Sequence, residues 1–239
     1  AQVYRGEVAM AKENKAFGQG MPEIASYAKS VFNPVDSVLD FVRRKSLESE
    51  LPAIQVGPMD GLHLEILSRL LNPRRAIEIG TLGGYSAICL ARGMVSGGVI
   101  HTFEKNEKHA ALASANIAWA REQGEFRGVE VTVHVGAAIE KLPAVEPEGP
   151  FDLVFIDADK PGYPDYLDWA AKTLRVGGAV LGDNTFAWGQ VHRTTELTGN
   201  ELKMVGSLDR FNRELAAHPR FRSTILPTAE GLTVGVKVR

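Results

Sequence analysis

The chain has 239 residues, 44% of them apolar and 23% charged, with a formal net charge of −2. That length fits one large α/β domain with a sizeable core, and the balanced charge points to neither a nucleic-acid nor a membrane partner. The one cysteine, Cys89, rules out an intrachain disulfide and sits in an apolar helical stripe, as a small core residue does. No apolar stretch approaches a membrane span and the first residues show no signal-like apolar segment, so the expected location is the cytoplasm.

Residues 21–49 read as helical, with a break at Asn33-Pro34, because proline disfavours helix in the residue before it and suits the first turn of the next. Pro58 opens a further helix with Leu62, Ile66, Leu67, Leu70 and Leu71 expected on one face, and Asn72-Pro73 ends it. From Arg75 onward the pattern alternates. Strands are expected at Ala76 to Ile79, Val99 to Phe103, Val129 to Val135, Phe151 to Ile156 and Ala179 to Leu181. Helices are expected between them at Tyr85 to Met94, Glu107 to Glu122, Ala138 to Leu142 and Tyr163 to Leu174. Such alternation predicts an α/β, doubly wound, mostly parallel sheet. A helix at Asp209 to Ala217 follows. Arg222 to Leu226 and Leu232 to Val238 then read as an antiparallel hairpin, with Leu232, Val234, Val236 and Val238 on one face; the total is seven strands.

Function shows at the strand ends, where open α/β sheets bind their ligands. Phe155-Ile156-Asp157-Ala158-Asp159-Lys160 and Leu181-Gly182-Asp183-Asn184 each break an apolar run into charged or amide side chains. If the two runs are neighbouring strands, Asp157, Asp183 and Asn184 offer two carboxylates and an amide oxygen to a hard divalent cation, and Lys160 stands near enough to take a proton. The first strand ends in Glu78-Ile79-Gly80-Thr81-Leu82-Gly83-Gly84-Tyr85-Ser86, a glycine turn that lets the backbone approach a ligand. Its acid suits a ligand with an ammonium or sulfonium charge better than a pyrophosphate, and the dinucleotide spacing G-x-G-x-x-G is absent. Glu104, ending the second strand, suits ribose hydroxyls. The small residues Gly136-Ala137-Ala138 after the third could admit a flat adenine ring. Each also has a plainer reading: Asp157, Asp159 and Asp183 as helix caps, Lys160 as a solvated surface charge, Asn184 as a turn former.

As an ordered set, EIGTLGGYS (Glu78 to Ser86), FE (Phe103-Glu104), FIDADK (Phe155 to Lys160) and GDN (Gly182 to Asn184) resemble the class I S-adenosylmethionine-dependent methyltransferases. More narrowly, they resemble the cation-dependent O-methyltransferases of the catechol and caffeoyl-CoA type, especially the bacterial members. The resemblance covers about residues 52 to 239. It implies a Rossmann-like fold in one domain over 1–239, with 1–51 as an N-terminal helical extension and 52–239 as a cofactor- and metal-binding core. It implies cofactor contacts from Val56, Glu78, Gly80, Thr81, Ser86, Glu104, Ala138 and Asp157, with Val56 on the methionine portion. It implies a metal, Mg²⁺, on Asp157, Asp183 and Asn184, and catalytic roles for Asp157 and for Lys160 as general base. It further implies S-adenosylhomocysteine as product, a small hydroxylated aromatic acceptor and a homodimer.

Trp188, Gly189 and His192 follow the second metal segment and are candidates for the acceptor pocket. Trp188 stands where the plant caffeoyl-CoA members have a polar residue. Trp119 and Trp169 read as packing residues; Arg210-Phe211-Asn212 reads as a helix surface, with a position facing the site as the alternative. The six histidines show no zinc spacing. Other readings are methylation of a hydroxylated tRNA nucleoside, a non-catalytic S-adenosylmethionine-binding module and an NAD-dependent dehydrogenase; the last would want the glycine spacing that is missing.

Overall fold

The computed structural model describes residues 22–239; the expected N-terminal extension lies outside them over residues 1–21. Three helices come first: α1 (Pro22–Phe32), α2 (Ser37–Glu48) and α3 (Pro58–Leu71). Asp36 caps α2 by accepting from Val38 N and Leu39 N. Pro58 is the first residue of α3, and Asn72 ends it in the left-handed region, as the Asn-Pro pair predicts.

The alternating part follows as β1 (Arg75–Ile79), α4 (Tyr85–Gly93), β2 (Val99–Glu104), α5 (Glu107–Glu122), β3 (Glu130–Val135), α6 (Ala138–Val145), β4 (Phe151–Ile156), α7 (Tyr163–Thr173) and β5 (Leu174–Gly182). The chain closes with α8 (Gly199–Ala217), β6 (Phe221–Leu226) and β7 (Leu232–Lys237). One seven-stranded sheet has the order β3-β2-β1-β4-β5-β7-β6. The four pairings among β1 to β5 are parallel, whereas β7 runs antiparallel to both β5 and β6. β7 thus inserts between β5 and β6, and β6 points the same way as β1 to β5. Strands β1 to β3 grow outward on one side, and the chain then returns to lay β4 on the other side of β1. That reversal opens a crevice between the carboxyl ends of β1 and β4.

Two apolar cores cover the faces of the sheet. One joins α2, α3, α4 and α5, with Leu64, Ile88, Leu90 and Phe155 fully enclosed. The other joins α6, α7 and α8, with Ile77, Phe103, Phe151 and Phe211. Cys89 is buried in the first core. Trp119 stacks on Phe41 of α2 at 3.7 Å between ring centroids, and Trp169 packs against Phe151. Arg92, on α4, fastens the N-terminal helices: its guanidinium is 2.7 Å from Asp36 and 2.6 Å from Glu125.

Several local expectations need correction. The buried face of α3 is Asp60, Gly61, Leu64 and Ser68, whereas Ile66 and Leu70 are exposed. Small residues win because α3 and α4 approach closely. Ser68 Oγ donates to Leu90 O, and a Cβ on Gly93 would lie 2.4 Å from Ser68 Cβ. Strand β5 starts five residues earlier than its apolar run, since the register against β4 shifts between Phe151 and Leu153 around Gly177-Gly178. Helix α8 begins ten residues earlier than expected, its first half diluted by Gly199, Asn200 and Gly206 but anchored by buried Val205 and Leu208. In β7 the well-covered face is Thr233, Gly235 and Lys237, while Val236 and Val238 are 39% and 45% exposed. Lys237 is tolerated there because its Nζ donates to Ala171 O and Leu174 O at the end of α7.

Candidate active site

The crevice between β1 and β4 opens into a cleft of about 730 Å³. Its floor depends on one glycine. Asp157 N donates to Ile79 O at 2.8 Å, and Gly80 N donates to Phe103 O at 3.0 Å. The turn at Gly80 has φ +98°, and a Cβ there would lie 1.9 Å from Asp157 O. Only glycine lets the ends of β1, β2 and β4 meet this closely. Helix α2 closes the turn from above, with Ser46 Oγ where a Cβ of Gly83 would sit.

The residues singled out from the sequence gather here. Val56, Gly80, Thr81, Ser86, Glu104, Ala138, Asp157, Lys160 and Asn184 all line the cleft. Glu78 and Asp183 lie behind the wall, 0% and 2% exposed. Glu78 Oε2 accepts from Thr102 Oγ1 at 2.5 Å, and Thr102 Oγ1 is 2.5 Å from Thr81 Oγ1. Burial pushes the Glu78 carboxyl up to about 8, with the Asp157 and Glu104 charges adding to the rise and Thr102 and Ser86 opposing it. Glu104 Oε2 accepts from Leu82 N and Oε1 from Asn106 N, both at 2.9 Å, which turns the acid across the glycine loop.

Lys160 forms the hub of the site. Its Nζ is 2.6 Å from Asn184 Oδ1, 3.0 Å from Tyr163 Oη and 3.1 Å from Asp157 Oδ1, which uses all three ammonium donors. Lys160 is thus no solvated surface charge. Tyr163 is fully buried and donates toward Asp183 O and Ile156 O, tying the ends of β4 and β5. Burial, then the nearby Asp157 charge, push its phenol well above the usual range, so it stays a hydroxyl. Asp159 does not cap a helix with its side chain; it accepts from Tyr166 Oη at 2.8 Å.

Among the described residues no three His, Cys, Asp or Glu side chains are grouped to hold a metal ion. Asp157, Asp183 and the Asn184 amide nevertheless fit a divalent cation on chemical grounds. Asp183 Oδ1 is buried without a hydrogen-bond partner. Burial, then repulsion from Asp157, push the Asp183 carboxyl well above its usual range, and a cation would relieve both. The Lys160 ammonium lies between two of the three donor oxygens, where positive charge is wanted. Further carboxylates stand close by. The Asp60 and Asp157 charges, after burial, raise the Glu230 carboxyl, while Lys160 and the Asn184 amide oppose the rise.

Sequence reasoning missed Tyr163, Gln55, Tyr85 and Glu230. Gln55 and Tyr85 line the cleft with a buried polar atom each, Gln55 Oε1 and Tyr85 Oη, that lacks a partner. Glu230 sits in the β6–β7 turn and accepts from Asn184 Nδ2. Tyr163 was legible only as the third residue past Lys160; the rest carried no local signal. Trp188 lines the cleft with φ +53° and is 56% exposed. Phe211 is instead buried against Tyr163, and Asn212 donates to Thr185 O.

A doubly wound sheet with its cleft at the strand-order reversal, an acid at the carboxyl end of each of β1 and β2 and a Lys-Asp-Asn cluster just past β4 and β5 define a Rossmann-like architecture. The sequence matches the O-methyltransferase family over residues 29–238, and the chain belongs to that family. It is 36% identical over 213 residues to a catechol O-methyltransferase of Niastella koreensis, covering 88% of this chain and 90% of the relative. It is 39% identical over 170 residues to a catechol O-methyltransferase of Mycobacterium tuberculosis, covering 71% and 74%. Among solved structures, an O-methyltransferase from Bacillus cereus in complex with SAH superposes with a TM-score of 0.79 at 37% identity, over 90% of this chain and 97% of that one. The Streptomyces achromogenes O-methyltransferase TomG, in complex with SAM, gives 0.79 at 32% identity, over 91% and 96%.

Proposed function

We propose that this O-methyltransferase moves a methyl group from S-adenosylmethionine to a hydroxyl of a small catechol-like or hydroxyaromatic acceptor, with a divalent cation, Mg²⁺, required. The observation that carries the reading is the Lys160 hub, which sets a lysine, a carboxylate and an amide oxygen together at one end of the cofactor-sized cleft. The names of the similar catechol O-methyltransferases and the SAM- and SAH-bound neighbours support the substrate pair.

Glu104, already oriented by two backbone N–H groups, keeps lone pairs free for the ribose hydroxyls. Glu78 and Ser86 sit by the methionine end with Val56 and Thr81, and the unpartnered Tyr85 hydroxyl adds a donor there. Ala138 leaves room for adenine. A free phenol ionises with a pKa of about 10, so its proton must be removed at neutral pH. Held by Asp157, Asp183 and Asn184, the cation would stabilise the acceptor's developing oxyanion. Lys160, released from Asp157 and Asn184 but still tethered to Tyr163, first gives one ammonium proton to solvent and then takes the phenol proton on the freed Nζ lone pair. The acceptor oxygen then displaces the sulfonium sulfur at the methyl carbon in line, and S-adenosylhomocysteine leaves. Over the described residues the chain forms one such domain, its N-terminal helices covering the site. The exposed Ile66 and Leu70 on α3 support a homodimer.

The assay uses labelled S-adenosylmethionine and a catechol panel, with Mg²⁺ or with chelator. Transfer is expected only with the metal, and equal transfer under chelation sinks the cation requirement. Lys160→Arg, whose guanidinium cannot deprotonate, should lower kcat about 100-fold or more while S-adenosylhomocysteine still binds. An unchanged kcat removes Lys160 as the base.

A further inference from the structure

We infer that Glu230 is a positioning residue that fixes the Asn184 amide so that its oxygen, and not its nitrogen, faces the proposed cation. The inference rests on the cation reading above and extends it to the β6–β7 turn.

An asparagine amide has two nearly isosteric ends of opposite character, and its neighbours decide which end points where. At Asn184 the neighbours leave no choice. Lys160 Nζ can only donate, and it meets Oδ1 at 2.6 Å. Glu230, as a carboxylate, can only accept, and it meets Nδ2. While Lys160 bridges Asn184 and Asp157, both neighbours enforce one orientation. With a cation held by those oxygens Lys160 would no longer fix the amide, and Glu230 would be the one contact described that does. A reversed amide would present N–H dipoles to the cation and lose a ligand.

Glu230 can do this because its backbone is fixed to the segment it serves. Phe186 N donates to Glu230 O at 3.0 Å, and Thr185 N and Thr185 Oγ1 donate to Gly231 O at 3.0 and 2.9 Å. Gly231 N donates to Thr228 Oγ1 at 3.1 Å. Gly231 has φ +79°, and a Cβ on it would lie 2.6 to 2.8 Å from atoms of Phe186, so glycine permits the close approach. Asn184 itself sits at φ +57°. Two turns, at the ends of β5 and β6, are thus locked together with the Asn184–Glu230 pair between them. Supporting partners of this kind typically govern about 10- to 100-fold in metal affinity.

Mn²⁺ serves as the probe, its free concentration read by electron paramagnetic resonance in the presence of S-adenosylhomocysteine. Glu230→Gln and Glu230→Met remove the same charge, but only glutamine keeps an acceptor oxygen for Asn184 Nδ2. Glu230→Met should bind Mn²⁺ about tenfold more weakly than Glu230→Gln, with S-adenosylhomocysteine affinity unchanged in both. In an Asn184→Ala background the two should bind alike, because the residue acted upon is gone. Equal Mn²⁺ affinity of Glu230→Gln and Glu230→Met in the native background overturns the inference and leaves charge alone as the role of Glu230. A Gln-to-Met difference that persists without Asn184 overturns it as well. Absence of saturable Mn²⁺ binding by the unsubstituted protein is a separate outcome: it defeats the cation reading first and this inference with it.

Discussion

At the residue scale, the site depends on titratable groups held where water cannot reach them. Glu78 is fully enclosed, and burial pushes its carboxyl up to about 8 from 4.5. Without ligand the fold therefore binds a proton that the unfolded chain gives up. Below about 4.5 both states are protonated and Glu78 contributes no pH dependence. Between about 4.5 and about 8 the unfolded state ionises first, so stability falls as pH rises; above about 8 the penalty is constant. Glu78→Gln keeps an acceptor for Thr102 Oγ1 and removes the ionisation. The variant should unfold at nearly the native temperature at pH 5 and above it at pH 8.5, while binding S-adenosylmethionine more weakly. Parallel thermal unfolding curves at both pH values check this, and an identical pH slope in the two proteins rules it out. Asp157, Asp183, Asn184 and Lys160 were readable because each breaks an apolar run at a strand end. Their mutual contacts were not, since Lys160 meets Asn184 across 24 positions of chain.

At the element scale, the approach of β1 to β4 turns on Gly80. A Cβ there would meet Asp157 O at 1.9 Å, which no rotamer change can relieve because the obstacle is backbone. Gly189 is the natural comparison: its φ of +79° is as left-handed, but nothing lies within 4 Å of its Cβ position. Gly80→Ala should destabilise by roughly 3 kcal/mol or more, within the range of steric and strain effects. Gly189→Ala should lose only the conformational preference, about 1 kcal/mol. Urea unfolding midpoints separate the two, and equal losses would mean that the clash is absorbed by easy backbone movement. The glycine turn itself was legible after the first apolar run, as were most strand and helix centres, because alternation and caps are local. The early start of β5, the first half of α8 and the small-residue face of α3 were hidden. There the deciding contact was a register shift, a buried residue in a glycine-diluted stretch or a close helix crossing, none of which a short window records. Glu230 was hidden for the same reason: a turn acid gains its meaning from Asn184, 46 positions away.

At the scale of the whole molecule, the cleft is a meeting place for segments distant in the chain. Arg43 and Ser46 of α2, Thr81 and Glu104 at the ends of β1 and β2, Lys160 after β4 and Glu230 before β7 all line it. A ligand that bridges several of these segments has no equivalent site in the unfolded chain, so it stabilises the fold by mass action. At a free concentration 100 times its Kd, S-adenosylhomocysteine should add about 2.7 kcal/mol. For a chain of this size that corresponds to a rise in Tm of roughly 5–10 °C. Where the ligand sits can be read from the same experiment. Lys160→Ala leaves the proposed methionine, ribose and adenine contacts intact and should show nearly the full rise. Glu104→Ala removes the proposed ribose acceptor and should show a much smaller one at the same ligand concentration. Scanning fluorimetry over a ligand series, with Kd taken from calorimetry, gives all three curves. A full rise in Glu104→Ala together with a lost rise in Lys160→Ala would place the ligand at the β4–β5 end and reverse the assignment of the two halves of the cleft.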